Sequence, residues 1–218
     1  MDYNLIKEIK NCLNKQISSM GGVFYTADCE ETFQEELKDI QLEVASGASK
    51  LVFIPFDEEY VVKVPFNGDY KVYQQKYVSF KRANTYNYWD YCLKELEIYH
   101  KAKARGLGKF FAKIRLIENN EHPIYIQEKA VLFSEASDWE GLEFYYGQKH
   151  STADIEYDYP TPISETWLKI AVSHYGKTMV DRLIKFLSNE CIGDFHRDNL
   201  GFINGKPVII DYSDYNDG

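Results

Sequence analysis

The sequence predicts an α+β fold of two lobes, the first strand-rich and the second helical and reduced. Three observations carry this prediction. Short apolar runs rich in β-branched residues gather between Leu51 and Leu132. One helical pattern, at 89–103, interrupts them. A longer helical pattern at 166–189 leads into two last apolar runs joined by Asn204-Gly205, a strong short-range hairpin signal.

Residues 1–40 read as a helical extension of two helices separated by Gly21-Gly22. In the first, Leu5, Ile9, Cys12, Leu13 and Ile17 recur at helical spacing among Lys, Glu and Asn, which does not read as a signal peptide. The second centres on 32–40. A strand-rich lobe follows at 41–132. It opens with the small-residue loop Val44-Ala45-Ser46-Gly47-Ala48-Ser49-Lys50 and a strand at 51–55. After the acidic turn Asp57-Glu58-Glu59 comes a second strand at 60–65. The helix at 89–103 places Trp89, Cys92, Leu93, Leu96 and Tyr99 on one stripe and stops at Gly106 and Gly108. Two further strands, 111–118 and 124–132, flank a polar turn. The last lobe, 133–218, begins with an acidic, Tyr-rich, aperiodic stretch at 134–164 that reads as a linker or long loop. The helix at 166–189 turns Trp167, Ile170, Val180, Leu183, Ile184 and Leu187 to the core.

Composition narrows the function classes. Of 218 residues, 44% are hydrophobic and 27% charged, ordinary for a globular chain, and no run reaches the length needed to span a bilayer. The expected location is therefore the cytoplasm. Net charge is −9, so the surface repels a phosphate backbone and nucleic acid is not expected as a partner. Cys12, Cys29, Cys92 and Cys191 are scattered without a CxxC pair, which predicts buried free thiols.

The last residues carry the chemistry. Asp194 is followed five positions later by Asn199, and Asp211 comes twelve further on at the end of an apolar run. Phosphoryl transfer needs a carboxylate that orients or deprotonates the acceptor hydroxyl, and oxygen ligands for the metal that bridges the phosphates. His196-Arg197-Asp198 offers a second register with Asp198 as the base. Five positions after Asp198, however, stands Ile203, which has no oxygen to give. Taken singly, each signal has a plainer meaning: Lys63 an edge-strand lysine, Glu95 and Glu97 a solvated helix face, Asp194, His196 and Asp198 a capping loop. His196 with the carboxylates also fits a mononuclear metal site of the phosphohydrolase kind. Their joint order favours phosphoryl transfer.

This order resembles the protein-kinase and aminoglycoside-phosphotransferase superfamily, and the fold it implies is the two-lobed protein-kinase-like one. Val61-Val62-Lys63-Val64 resembles the strand whose lysine contacts the α and β phosphates. That lysine commonly pairs with a Glu on the inserted helix. Helical spacing does not choose between Glu95 and Glu97, and the resemblance favours Glu95. Ser46, Gly47, Ala48 and Ser49 stand where a glycine-rich loop belongs, with one glycine instead of three. Ile124-Tyr125-Ile126-Gln127-Glu128-Lys129-Ala130 resembles the strand and hinge that bind adenine through backbone groups of Glu128 and Ala130. The resemblance makes Asp194 the base, Asn199 and Asp211 the Mg²⁺ ligands, and ATP the cofactor. Ile192 departs from it, standing where many relatives carry a His two residues before the base.

At subfamily level the chain is similar to the compact early protein kinases of short-tailed bacteriophages. It shares Lys185-Phe186 before the loop and the short Asn-Gly hairpin before Asp211. This implies a Ser/Thr kinase acting on host proteins in the host cytoplasm; a small-molecule hydroxyl is the other acceptor it allows. Seven residues follow Asp211, beginning Tyr212-Ser213-Asp214 in place of the usual Phe-Gly. With no activation segment expected after them, substrate falls to 134–165, to the N-terminal helices or to a second chain. The same feature keeps a second reading open, a pseudokinase that binds nucleotide and regulates a partner.

Overall fold

The computed structural model describes residues 3–19, 29–47, 49–66, 91–119, 122–136, 163, 165–193, 195 and 197–213. Gly21-Gly22, Ala48, Trp89, Asp194, His196 and most of the 134–164 stretch lie outside them. The fold is α+β, and the chain divides into two compact units, 1–96 with 114–128, and 97–113 with 129–218.

The first unit is built on a five-stranded antiparallel sheet of order β1-β2-β3-β5-β4, in which β1 is Leu42–Ser46, β2 Lys50–Pro55, β3 Tyr60–Pro65, β4 Ile114–Glu118 and β5 Ile124–Glu128. Helices α1 (Tyr3–Ser19) and α2 (Cys29–Glu36) precede it. Pleat alternation gives the sheet two different faces. Leu42, Val44, Leu51, Phe53, Val62, Val64 and Ile126 share one face by register, and all join the core formed with Leu5, Ile6, Ile9, Leu13, Phe33 and Leu37 from the helices. Phe33 meets Phe53 edge-on at 5.7 Å. Each such side chain contributes about 1.5–3 kcal/mol through burial, so α1 and α2 share this core with the sheet. Gln34 fastens the outermost strand: its amide donates to Leu42 O at 3.2 Å and accepts from Val44 N at 2.8 Å, covering an otherwise open edge. Burial in this core raises the Cys12 thiol to about 11.

The second unit holds a three-stranded antiparallel sheet of order β6-β7-β8, formed by Val131–Leu132, Leu200–Ile203 and Lys206–Ile209. Helix α3 (Tyr91–Ala104) starts in the first unit and ends in the second. It terminates with Leu107 N–H donating to Ala102 O and Gly106 N–H to Lys103 O, with Gly106 at φ 73, a Schellman closure. Short α4 (Phe133–Ala136) is followed by α5 (Glu165–Tyr175) and α6 (Lys177–Asn189), which pack on each other. The single helix expected at 166–189 is thus two. Gly176, at φ 83, breaks the ladder, and its N–H still caps Val172 O. The expected core positions Trp167, Ile170, Val180, Leu183, Ile184 and Leu187 are all buried.

Other expectations also shift. Val44, Ala45 and Ser46, expected in the loop, instead belong to β1 (Leu42–Ser46), because Leu42 and Val44 have the sheet's apolar face to fill. The strand expected at 124–132 is split between two sheets. Of the strand expected at 111–118, Phe111–Lys113 lie outside β4, and Phe111 instead bridges Ile209 in the second unit. Cys191 is exposed, unlike the buried Cys12 and Cys92. No described helix is long and apolar enough to cross a membrane.

Candidate active site

Lys63 lies on β3, a strand buried along its whole length. Its cross-strand partners are Val52 on β2 and Tyr125 on β5, so it faces away from the apolar core. Lys50, two residues before Val52, and Gln127, two after Tyr125, share that face by the same alternation. Glu95 descends from α3 among them. Its Oε2 accepts from Lys63 Nζ at 2.9 Å and from Gln127 Nε2 at 3.3 Å, while its Oε1 pairs with Lys50 Nζ. Glu95 is 0% exposed, and Lys63 and Lys50 are 3% each.

Burying an ionised carboxylate costs several kcal/mol unless charged partners replace its water, so these contacts are what allow Glu95 inside. The stripe of α3 that faces inward runs Cys92, Glu95, Ile98, Tyr99 and Ala102, all buried, whereas Leu93 and Leu96 are half-buried and Glu97 is exposed. Counting apolar residues alone placed the centre of that stripe one position late. A carboxylate at the middle of a buried face has no hydrophobic signature.

Ser46 ends β1, and its hydroxyl donates to Glu30 Oε2 at 2.5 Å. The Gly47 N–H donates to Lys50 O at 3.0 Å, and a Cβ at Gly47 would meet nothing within 4 Å. Ser49 O accepts from Phe66 N at 2.8 Å. The Glu128–Ala130 segment joins β5 to β6; Glu128 is exposed at the end of β5, opposite Tyr60, and Ala130 is half-buried.

In the second unit the loop and hairpin bring Asn199 and Asp211 together. Helix α6 ends with Cys191 N–H donating to Ser188 O and Ile192 N–H to Leu187 O, the closure seen at α3 but with Cys191 at φ 56 in the glycine position. Buried Ile192 and Phe195 then anchor the loop on either side of position 194. A 3₁₀ turn, Arg197–Asn199, feeds β7. Asn204 (φ 51) and Gly205 (φ 73) make the two-residue hairpin turn, and Leu200 pairs with Ile209. Beyond that pair the Ile210 N–H donates to Asn199 O at 2.8 Å, which sets Asn199 beside the residue that precedes Asp211. Asn199 is 8% exposed, Asp211 is half-buried, and Asp198 points to solvent. Ile203, which the Asp198 register would need as a ligand, ends β7 opposite Lys206. Asp194 itself lies outside the described residues.

The residues after Asp211 are held in place. Tyr212 is buried, stacks edge-on to Phe111 at 5.0 Å, and donates its hydroxyl to Ala112 O at 2.9 Å. Ser213 Oγ donates to Asp211 Oδ1 at 3.2 Å. Oxygen donors of the Asn199 and Asp211 type suit Mg²⁺, a hard cation that takes one or two protein oxygens and keeps the rest for water and phosphate.

Sequence reasoning missed Lys50, which was read as the end of a loop. The signal lay in its spacing, because a Lys two positions before Val52 shares a face with whatever pairs with Val52, and that is Lys63.

No family model matches the sequence, and no curated protein matches it. Among solved structures the chain is similar to the aminoglycoside phosphotransferase APH(2")-IIa in a ternary complex with streptomycin and ATP. The identity is 17% and the TM-score 0.32, over 87% of this chain and 71% of that one.

Proposed function

We propose that this chain is an ATP-dependent phosphotransferase of the protein-kinase-like kind. The observation that carries the reading is the Lys63–Glu95 pair: a strand lysine held at 2.9 Å by a wholly buried helix carboxylate. Such a pair costs desolvation free energy on both sides and is a poor way to stabilise a fold, which favours a functional reason for it. Lys63, fixed by Glu95, holds the α and β phosphates. Asn199 and Asp211 offer the oxygens for Mg²⁺, which when bound neutralises charge developing on the phosphates.

In this reading Asp194 accepts the proton of the acceptor hydroxyl. The acceptor oxygen forms its bond to the γ phosphorus as the bond from that phosphorus to the β–γ bridging oxygen breaks, and ADP leaves. The protein contributes positioning and fixed charge. Protein Ser/Thr hydroxyls are the proposed acceptors, on the likeness to the compact phage kinases noted above. A second reading, a nucleotide-binding module without turnover, draws on Tyr212 and Ser213, which pack and bond the segment after Asp211 into one arrangement.

Thermal melting with Mg·ATP tests the nucleotide part common to both. A ligand at a hundred times its Kd stabilises by about 2.7 kcal/mol, which moves the Tm by several degrees. The wild type should show that shift and Lys63→Met should lose most of it. An unmoved wild-type melting temperature at millimolar Mg·ATP would remove both readings.

A further inference from the structure

We infer that an exposed basic face, formed where the end of α3 meets α6, docks an acidic segment of a protein partner, whether or not the chain transfers phosphate. The whole face lies in the second unit. Residues 97–113 and 177–193 carry eight lysines and arginines against three carboxylates, in a chain whose net charge is −9. The balance of the chain is reversed here.

Contacts hold these side chains together. Arg182 Nη2 donates to Arg105 O at 2.7 Å, which sets α6 beside the residues that follow α3. The Arg105 guanidinium lies over Phe186, 5.1 Å from the ring centroid. Glu190, just past α6, accepts from Lys101 Nζ at 2.7 Å and lies 3.4 Å from Arg105 Nη1. Lys185 stands three residues from Arg182 on the same helix, so the two are surface neighbours. Toward the start of α6, Lys109 Nζ lies 4.9 Å from the ring centroid of Tyr175, which ends α5. Lys101, Arg105, Lys109, Arg182 and Lys185 are all exposed. Among the described residues, Glu190 is the one carboxylate paired with any of these five.

Helix ends do not account for the charge. Lys101 complements the C-terminus of α3, as basic residues there do. The last turn of α6 holds no basic residue, so Arg182 and Lys185 serve no such purpose, and Lys109 lies outside both helices. An excess of exposed cations attracts a carboxylate-rich ligand, and the two guanidiniums match carboxylates as bidentate forks. A short acidic peptide segment suits the face better than a long polyanion does. From Arg182 to Glu190 it extends about 12 Å at the rise of a helix, little more than one Debye length of about 8 Å. A nucleic acid or an anionic bilayer would run on past it against a chain of net negative charge, whereas a peptide segment needs only the face itself.

Two measurements test this. In the first, a fluorescein-labelled peptide of alternating Glu and Ser is titrated with wild type, Lys185→Glu and Glu190→Gln and followed by anisotropy. An exposed ion pair is worth a factor of roughly two to five. Lys185→Glu should weaken binding by at least that much. Glu190→Gln, which removes the competing carboxylate, should tighten it by a similar factor, and a misfolded variant would not bind more tightly. Binding should vanish at about 1 M salt, where the Debye length falls to about 3 Å. Wild-type affinity in both variants would overturn the docking face. So would tighter binding of a single-stranded oligonucleotide, or of phosphatidylserine vesicles, than of the peptide.

The second uses wild type alone. A carbodiimide activates the peptide's carboxyl groups; a lysine amine beside one attacks its acyl carbon, an amide forms and the carbodiimide leaves as its urea. Peptide mass mapping should place these amides on Lys101, Lys109 and Lys185. Amides confined to other lysines would contradict the assignment.

Discussion

Lys63 Nζ lies 2.9 Å from Glu95 Oε2, and Glu95 is wholly removed from solvent. Its carboxylate also serves Lys50, so the three side chains respond unequally to substitution. Glu95→Gln removes the carboxylate that both buried ammoniums share and should cost about 3–5 kcal/mol, as breaking a buried pair does. Lys50→Met leaves Glu95 still paired with Lys63 and should cost clearly less. Chemical denaturation of the two variants decides this, and equal losses would mean the triad is not organised around Glu95.

The ends of the helices give a second test, one independent of function. At α3 the left-handed position is Gly106, whereas at α6 it is Cys191 with φ 56. A left-handed conformation costs a non-glycine residue roughly 1–2 kcal/mol, partly offset by the extra freedom glycine has when unfolded. Cys191→Gly should therefore stabilise the protein by about 0.5–1 kcal/mol. A destabilised Cys191→Gly would mean that α6 does not end as described.

Gly201 makes the opposite prediction. A Cβ there would lie 2.5 Å from Val131 O and 2.6 Å from Ile210 Cδ1. Gly201→Ala should force β6 away from β7 and cost about 1–3 kcal/mol, as overpacking does. It should also weaken Mg·ATP binding, because β7 and β8 set Asn199 beside Ile210. Wild-type stability in Gly201→Ala would argue against the β6–β7 pairing.

Tyr175 supplies a pH test. Its hydroxyl donates to Lys109 O and Pro207 O, both at 3.1 Å, and burial pushes it up to about 12 from an ordinary value of 10.0. The folded state keeps this proton where the unfolded chain releases it. Its contribution is complete below pH 10 and is lost as pH rises from 10 to about 12. Denaturation midpoints of wild type should fall across that window more steeply than those of Tyr175→Phe. Parallel curves would mean the hydroxyl is not buried.

Much of this architecture was legible in the sequence, and the gaps have physical causes. β3, the Asn204-Gly205 hairpin and the stop at Gly106 were readable because alternation, turn chemistry and left-handed glycine are local signals. β1 was missed because Ala45, Ser46 and Gly47 mask an edge strand whose burial depends on α1 and α2. The break at Gly176 was absorbed into a helical period that continues on both sides of it. At the candidate site, Lys63, Asn199 and Asp211 could be named from order and spacing. Helical spacing left Glu95 and Glu97 open and resemblance alone favoured Glu95, while the burial of Glu95 and the place of Lys50 beside it depend on strand register and packing.

The proposed base is Asp194, which stands five residues before Asn199 in the sequence, whereas Asp198 has Ile203 at that spacing. The most direct measurement is therefore transfer of label from γ-labelled ATP with Mg²⁺ to proteins of a bacterial lysate. Wild type, Asp194→Ala and Asp198→Ala are run side by side. The account predicts labelled protein bands with wild type and Asp198→Ala and none with Asp194→Ala. Transfer that survives Asp194→Ala but is abolished by Asp198→Ala would contradict it. So would the absence of wild-type transfer to any protein or small-molecule hydroxyl.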